Sequence, residues 1–236
     1  MKKSTLFSLL VIFLLIPATL FLSTKLSGRA HYFISTLIII EIMLPFFYAF
    51  EHRKPQAREL VTIAVMCALA VASRVLIQIP AFKPILGIIM ISGIALGAQA
   101  GFLTGAISAF ASNFFFSQGP WTPWQMMAYG IAGFLAGLLF YKKRPFPGKP
   151  WLSSAVLAIY GFFATVLVAG PLLDTCSIFT MGAVVTGKFV VAVYSAGFIP
   201  NLILGCATAA TMFLAGRPLL AKLDRLTRKY GMMEER

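Results

Sequence analysis

Between two long apolar segments the chain carries Ser117-Gln118-Gly119-Pro120-Trp121-Thr122-Pro123-Trp124-Gln125-Met126, a run that joins two amides to two indoles. Amide groups both donate and accept hydrogen bonds, and an indole adds one N–H donor to a broad apolar face. Together they suit the capture of an amphipathic small molecule. The same tryptophans equally suit anchoring at the headgroup level of a membrane. Pro123 presets a helical φ and has no N–H to lose, so the spacing predicts a helix start with Thr122 as N-cap and Gln125 completing a Thr-x-x-Gln capping box.

Other polar residues are expected at the same end of the molecule. Asn113, Gln118, Trp121, Trp124, Gln125 and Tyr129 come from this segment and its flanks, and Gln125 and Tyr129, four apart, share one helix face. Lys83 lies in an earlier loop, Asp174 and Lys188 bound a later one, and Tyr194, Asn201 and Pro200 belong to the last apolar segment. For each residue singly, a structural hydrogen bond and a ligand contact both remain open; convergence at one end is what favours a site. With few charges and many aromatics and amides, such a site suits a large, mostly neutral amphipathic ligand better than a phosphate or a dicarboxylate.

Catalytic chemistry is poorly supplied. His31 and His52 are the only histidines, and neither stands with a carboxylate or a cysteine at ligand or triad spacing. Cys67, Cys176 and Cys206 are scattered without metal spacing and read as small packed thiols. The sequence calls for no metal and no cofactor, and no Gly-x-x-x-x-Gly-Lys-Ser/Thr loop occurs, so any ATP hydrolysis belongs to partners. Two charges fall inside apolar spans, Glu41 and Arg74; each is costly unless paired or near water. They could pair with each other, or Arg74 could snorkel to the surface or meet a ligand.

The elements that must hold these groups are membrane helices. With 59% hydrophobic and 11% charged residues and a mean hydropathy of +0.89, the chain lacks the charged surface of a water-soluble domain. Apolar runs can be laid out as Leu6 to Ser23, Tyr32 to Phe50, Leu60 to Ile79, Ile85 to Ala98, Gly101 to Phe116, Trp124 to Tyr141, Leu152 to Leu173 and Phe189 to Ala215. The expectation is an all-α polytopic membrane bundle of about eight helices, each of roughly spanning length. Lys2 and Lys3 before the first run also fit a secretory signal, but the run is long for one and no small-x-small cleavage site follows, so it is read as a helix. A turn is expected near Gln99 to Gly101.

The net charge of +13 is a matter of topology. Placing both termini in the cytoplasm puts nearly all of the 20 basic residues inside, with only Lys25, Arg29, Lys83 and Lys188 outside and Arg74 within a helix. That distribution argues for a cell-membrane protein in contact with lipid and against a nucleic-acid partner. It also sets the Gln-Gly-Pro-Trp segment on the outer face. Residues 1–58 read as an accessory hairpin with a charged linker, 59–216 as a six-helix core, and 217–236 as a basic cytoplasmic tail, an extension of the last helix on the membrane surface.

Small residues recur at four-residue spacing, as Gly93 and Gly97, Gly101, Gly105 and Ala109, and Gly133 and Gly137. In lipid such stripes mark close helix packing within the bundle. Ala64, Ala68 and Ala72 form a further stripe that is read as lacking large apolar neighbours on its face, so it could dock another subunit.

This alanine stripe, the block Ile88-Ile-Met-Ile-Ser-Gly-Ile-Ala-Leu-Gly97 and the segment Asn113 to Met126 together resemble the substrate-binding S components of energy-coupling factor (ECF) transporters, over roughly residues 59 to 216. Within them the Gln-Gly-Pro-Trp-Thr-Pro-Trp-Gln block looks most like the cobalamin-type branch. The resemblance implies a six-helix protein that captures a vitamin or related micronutrient at its outer side. It would then join a membrane scaffold subunit and two ATPases, toppling in the bilayer to release its cargo. It assigns scaffold docking to Ala64, Ala68 and Ala72. The two additional N-terminal helices depart from the pattern and bear on how freely the core topples. Two other readings stay open, a stand-alone secondary transporter and a non-transporting membrane assembly or enzyme subunit; the lack of an internal repeat weighs against the former.

Overall fold

A computed structural model describes residues 56–232 apart from 144, 147 and 182–184, together with isolated positions between 15 and 51. Most of the two N-terminal spans, both termini, His31 and His52 lie outside the described residues. From residue 56 onward every regular element is helical: α1 (Ala57–Leu76), α2 (Ile85–Leu96), α3 (Ala98–Phe116), α4 (Thr122–Phe140), α5 (Pro150–Ala164), α6 (Gly170–Thr180) and α7 (Gly187–Tyr230). α5 and α6 are joined by one π-helical turn, Thr165–Ala169. Pro171 has no N–H to offer the carbonyl of Leu167, and the ladder widens where that bond is missing. The six core spans read from the sequence each fall on a helix, with α5, the π turn and α6 acting as one.

Among the described residues, Ala57–Leu76, Thr122–Phe140, Pro150–Thr180 and Gly187–Tyr230 are long and apolar enough to cross a bilayer. This is a membrane protein. Helix α2 is different, because its 12 residues rise only about 18 Å, well short of a hydrocarbon core of about 30 Å. Every one of its residues is buried, and α1, α3, α4 and α7 all pack against it. A helix apolar on all sides belongs at the centre of a bundle.

The turn after α2 falls at Gly97, earlier than the expected Gln99 to Gly101. Gly97 has φ +95°, a conformation that side-chain-bearing residues rarely adopt, so one glycine suffices to reverse the chain. The returning α3 lies so close that a Cβ on Gly101 would collide with the backbone of Gly93 and of Gly133 in α4. The glycine stripes are thus the contact surfaces of α2, α3 and α4. Across the same seam Ser92 and Thr104 join hydroxyls at 2.8 Å, satisfying both where no water reaches.

Two further features depart from expectation. Beside Ala64 and Ala68, α1 exposes Val61, Val65 and Leu69, so the alanine stripe does have large apolar neighbours on its flanks. The basic tail extends the last helix as expected, α7 continuing to Tyr230, but it is not confined to the surface: its Leu220 and Leu223, with Met232 beyond, join the apolar cluster of Ile63 and Met66. From the N-terminal region, Ile39 and Met43 are buried against Phe102, Trp124 and Met127 of the core.

Candidate functional site

The ends of α1 and α3 and the start of α4 meet at one end of the bundle, and their polar side chains form a continuous network. Arg74, in the last turn of α1, donates from Nη1 to Oγ of Ser112 and to Oδ1 of Asn113. Asn113 donates from Nδ2 to Oγ1 of Thr122 at 3.1 Å and to Oε1 of Gln125 at 2.8 Å. The Thr122 hydroxyl donates to Oε1 of Gln118 at 2.8 Å, and Gln118 Nε2 donates to the carbonyl of Phe110 at 3.0 Å. Asn113 is 1% exposed with both ends of its amide engaged, so the array is rigid at its centre.

Local sequence explains this arrangement, with one correction. The capping box does not form: the helix starts at Thr122 with Trp121 as N-cap, and no side chain caps it. Thr122 turns its hydroxyl back to the loop, accepting from the Gly119 N–H at 3.2 Å, and Gln125 points its carbonyl to Asn113. Side-chain partners from α3 and the loop outcompete the local cap. The loop is tight, with Ser117 at φ +78° and the Trp121 ring lying where a Cβ on Gly119 would be. Trp121 remains partly exposed at the surface.

Arg74 is the residue that sequence reasoning left unassigned, and it organises the network. Its guanidinium lies 4.8 Å from the Phe116 ring centroid and 6.0 Å from that of Tyr129, which is buried. Lys83 approaches the same Phe116 ring at 5.5 Å and donates to the carbonyl of Ile77 at 2.6 Å, tying down the loop between α1 and α2. Cation–π contact, the negative end of the α1 dipole and two side-chain acceptors together offset the cost of a guanidinium at this depth. Arg74 therefore finds its partners at the ends of neighbouring helices rather than in Glu41, whose carboxylate accepts from the Thr19 hydroxyl at 3.0 Å. The signal available in the sequence was a lone intramembrane arginine and an asparagine needing partners, but not that the two meet.

Asp174, Tyr194 and Asn201 form a second group, between α6 and α7. Asn201 Nδ2 donates to Oδ2 of Asp174 at 2.8 Å, and Thr175 and Tyr194 join hydroxyls at 2.8 Å. Asp174 packs so closely on Gly197 that a side chain there would displace it, and it lines a cavity of about 290 Å³ with Ser177, Met181 and Val193. Among the described residues no hydrogen bond of this group reaches the Arg74 network. Trp124 belongs to neither. It stacks on Phe179 at 5.6 Å within the apolar cluster of Phe102 and Met127, and its buried indole N–H has no partner among the described residues.

The Arg74 network leaves donors unspent. Nη2 of Arg74, whose guanidinium lies beside the aromatic faces of Phe116 and Tyr129, and Nε2 of Gln125 have no hydrogen-bond partner among the described residues.

No curated protein and no solved structure matched the chain. The family described as "ECF-type riboflavin transporter, S component" matches residues 54–225, reaching past the expected end of the core into the basic part of α7. Nothing in that match supports the cobalamin-type branch. Covering most of the chain, it establishes that this protein belongs to that S-component family.

Proposed function

We propose that the chain is the substrate-capturing subunit of an ECF-type importer and that its cargo is a flat, carbonyl-bearing vitamin of the riboflavin type. The family match supports the vitamin class and its description suggests the flavin. The observation that carries the reading to particular residues is the network of Arg74, Asn113 and Gln125, with unspent donors next to Phe116 and Tyr129. In this reading Arg74 and Gln125 donate to the carbonyl edge of the ring system, the aromatic side chains cover its faces, and Lys83 holds the first loop against them. Asp174, Asn201 and Tyr194 receive the donors at the other pole of the ligand.

The basic side of the bundle faces the cytoplasm, so the network opens outward and both termini lie inside. Docking follows α1, where Ala68 and Ala72 line a groove of about 440 Å³ with Val71, Val75, Ala111 and Phe115. A helix of the scaffold subunit lies there, and the two ATPases drive release.

The test is a titration of the purified full chain with riboflavin, read by loss of flavin fluorescence, with cobalamin as competitor. Saturable quenching that cobalamin does not reverse is expected. Cobalamin binding without riboflavin binding would return the protein to the cobalamin-type reading.

A further inference from the structure

At the opposite end of the bundle α7 is clamped onto the start of α1. Gly231, left-handed at φ +55°, reverses the chain after Tyr230, so that the Met232 N–H bonds to the Thr227 carbonyl at 3.0 Å. Gln56 Nε2 reaches the Gly231 carbonyl at 3.4 Å, and Met232 is buried beneath. Between the two helices the closure leaves a cavity of about 500 Å³, within the range of small-molecule sites. Its walls are apolar for most of their length, with Val61, Val65, Met66, Leu223 and Leu226, while Arg58 and Tyr230 stand at one end.

That end is cationic from both helices. The Arg58 guanidinium lies 4.7 Å from the Tyr230 ring centroid, and Lys229 Nζ lies 5.2 Å from it. Val61 and Val65 are 62% and 59% exposed on a helix long and apolar enough to cross a bilayer, so this flank of the slot is open to acyl chains. A greasy slot with the Arg58 guanidinium in its wall, and Lys229 close by at the Tyr230 ring, matches one kind of molecule in a bilayer.

We propose that this cavity is a binding site for an anionic phospholipid of the cytoplasmic leaflet. Arg58 and Lys229 hold the headgroup phosphate and one acyl chain lies along Val61, Val65, Leu223 and Leu226. Charge complementarity selects the occupant, since basic pockets between helices on the cytoplasmic side attract anionic headgroups. The leaflet rests on the inward placement of the basic side proposed above. Because Val61 and Val65 adjoin Ala64 and Ala68, the lipid sits at the foot of the docking face, and scaffold engagement and lipid occupancy compete.

The test uses the full chain reconstituted with equal amounts of phosphatidylglycerol and phosphatidylcholine of the same acyl chains, extracted gently and weighed by native mass spectrometry. Phosphatidylglycerol should be retained in preference by roughly tenfold. Arg58→Gln with Lys229→Gln should abolish the preference, and Val65→Trp should abolish retention of both lipids. Riboflavin titration of the same samples reports folding and the cargo site separately, so failure there leaves the lipid result readable. Equal retention of the two lipids by the parent chain would overturn the proposal, as would an unchanged preference in the double variant. A crosslink from Val65→Cys to the chain's own N-terminal segment, or to the scaffold subunit with lipid still bound, would also overturn it.

Discussion

Arg74 shows how a costly residue is accommodated. A guanidinium in the last turn of a membrane helix needs acceptors, and Ser112 and Asn113 supply them from α3 while Phe116 supplies a ring. Asn113 then spends its remaining donors on Thr122 and Gln125, so the position of Gln125 depends on Arg74 through one intermediate. A hydrogen bond to a charged group is worth about 1.5–3 kcal/mol, so Arg74→Gln should weaken cargo binding by roughly 10- to 150-fold. Gln125→Ala should weaken it less, by about 0.5–1.5 kcal/mol, because a neutral donor is lost. Isothermal titration of both variants checks the order, and equal losses would place the two residues in equivalent roles. Trp124→Ala is a poorer probe than its place in the motif suggests. Its ring stacks on Phe179 and packs on Met127, so the substitution should lower thermal stability together with affinity.

The helices were legible in the sequence because an apolar run long enough to span a bilayer has few alternatives in lipid. Their internal seams were legible too, since glycines at four-residue spacing announce close approach. What could not be read was any contact set by long-range geometry. Thr122, Pro123 and Gln125 satisfy every local rule for a capping box, yet partners from α3 and the loop take both side chains. Arg74 meets a residue 39 positions away, and no local pattern encodes that pairing. The turn at Gly97 was displaced from Gln99 because α2 ends as soon as one residue can take a positive φ. The seams carry a stability prediction. Gly133→Ala puts a methyl against the Gly101 carbonyl and should cost at least about 1–3 kcal/mol as an overpacked core. Gly216→Ala, in α7 with nothing near its Cβ, should be neutral or stabilising by up to about 1 kcal/mol. Thermal unfolding in detergent separates them, and equal melting temperatures would remove the seam from the account.

At its two ends the bundle carries complementary equipment, a polar network beside aromatic rings at one and an apolar slot with Arg58 in its wall at the other. Between them α1 presents an apolar groove in which Ala68 and Ala72 stand among Val71, Val75, Leu76 and Phe115. Ala68→Trp should fill that groove while leaving the Arg74 network in place. Cargo binding by the isolated chain should stay within a factor of about two, since surface changes away from such features shift stability by less than about 0.5 kcal/mol. Import through the assembled complex should fall to background. The most direct measurement of the central reading compares proteoliposomes holding this chain alone with proteoliposomes holding it together with the scaffold and both ATPases, each offered radiolabelled riboflavin. The chain alone should bind the vitamin without accumulating it, and the complex should accumulate it only when supplied with ATP. Accumulation by the chain alone would show a self-sufficient carrier and contradict the assignment of capture to one subunit and energy to others.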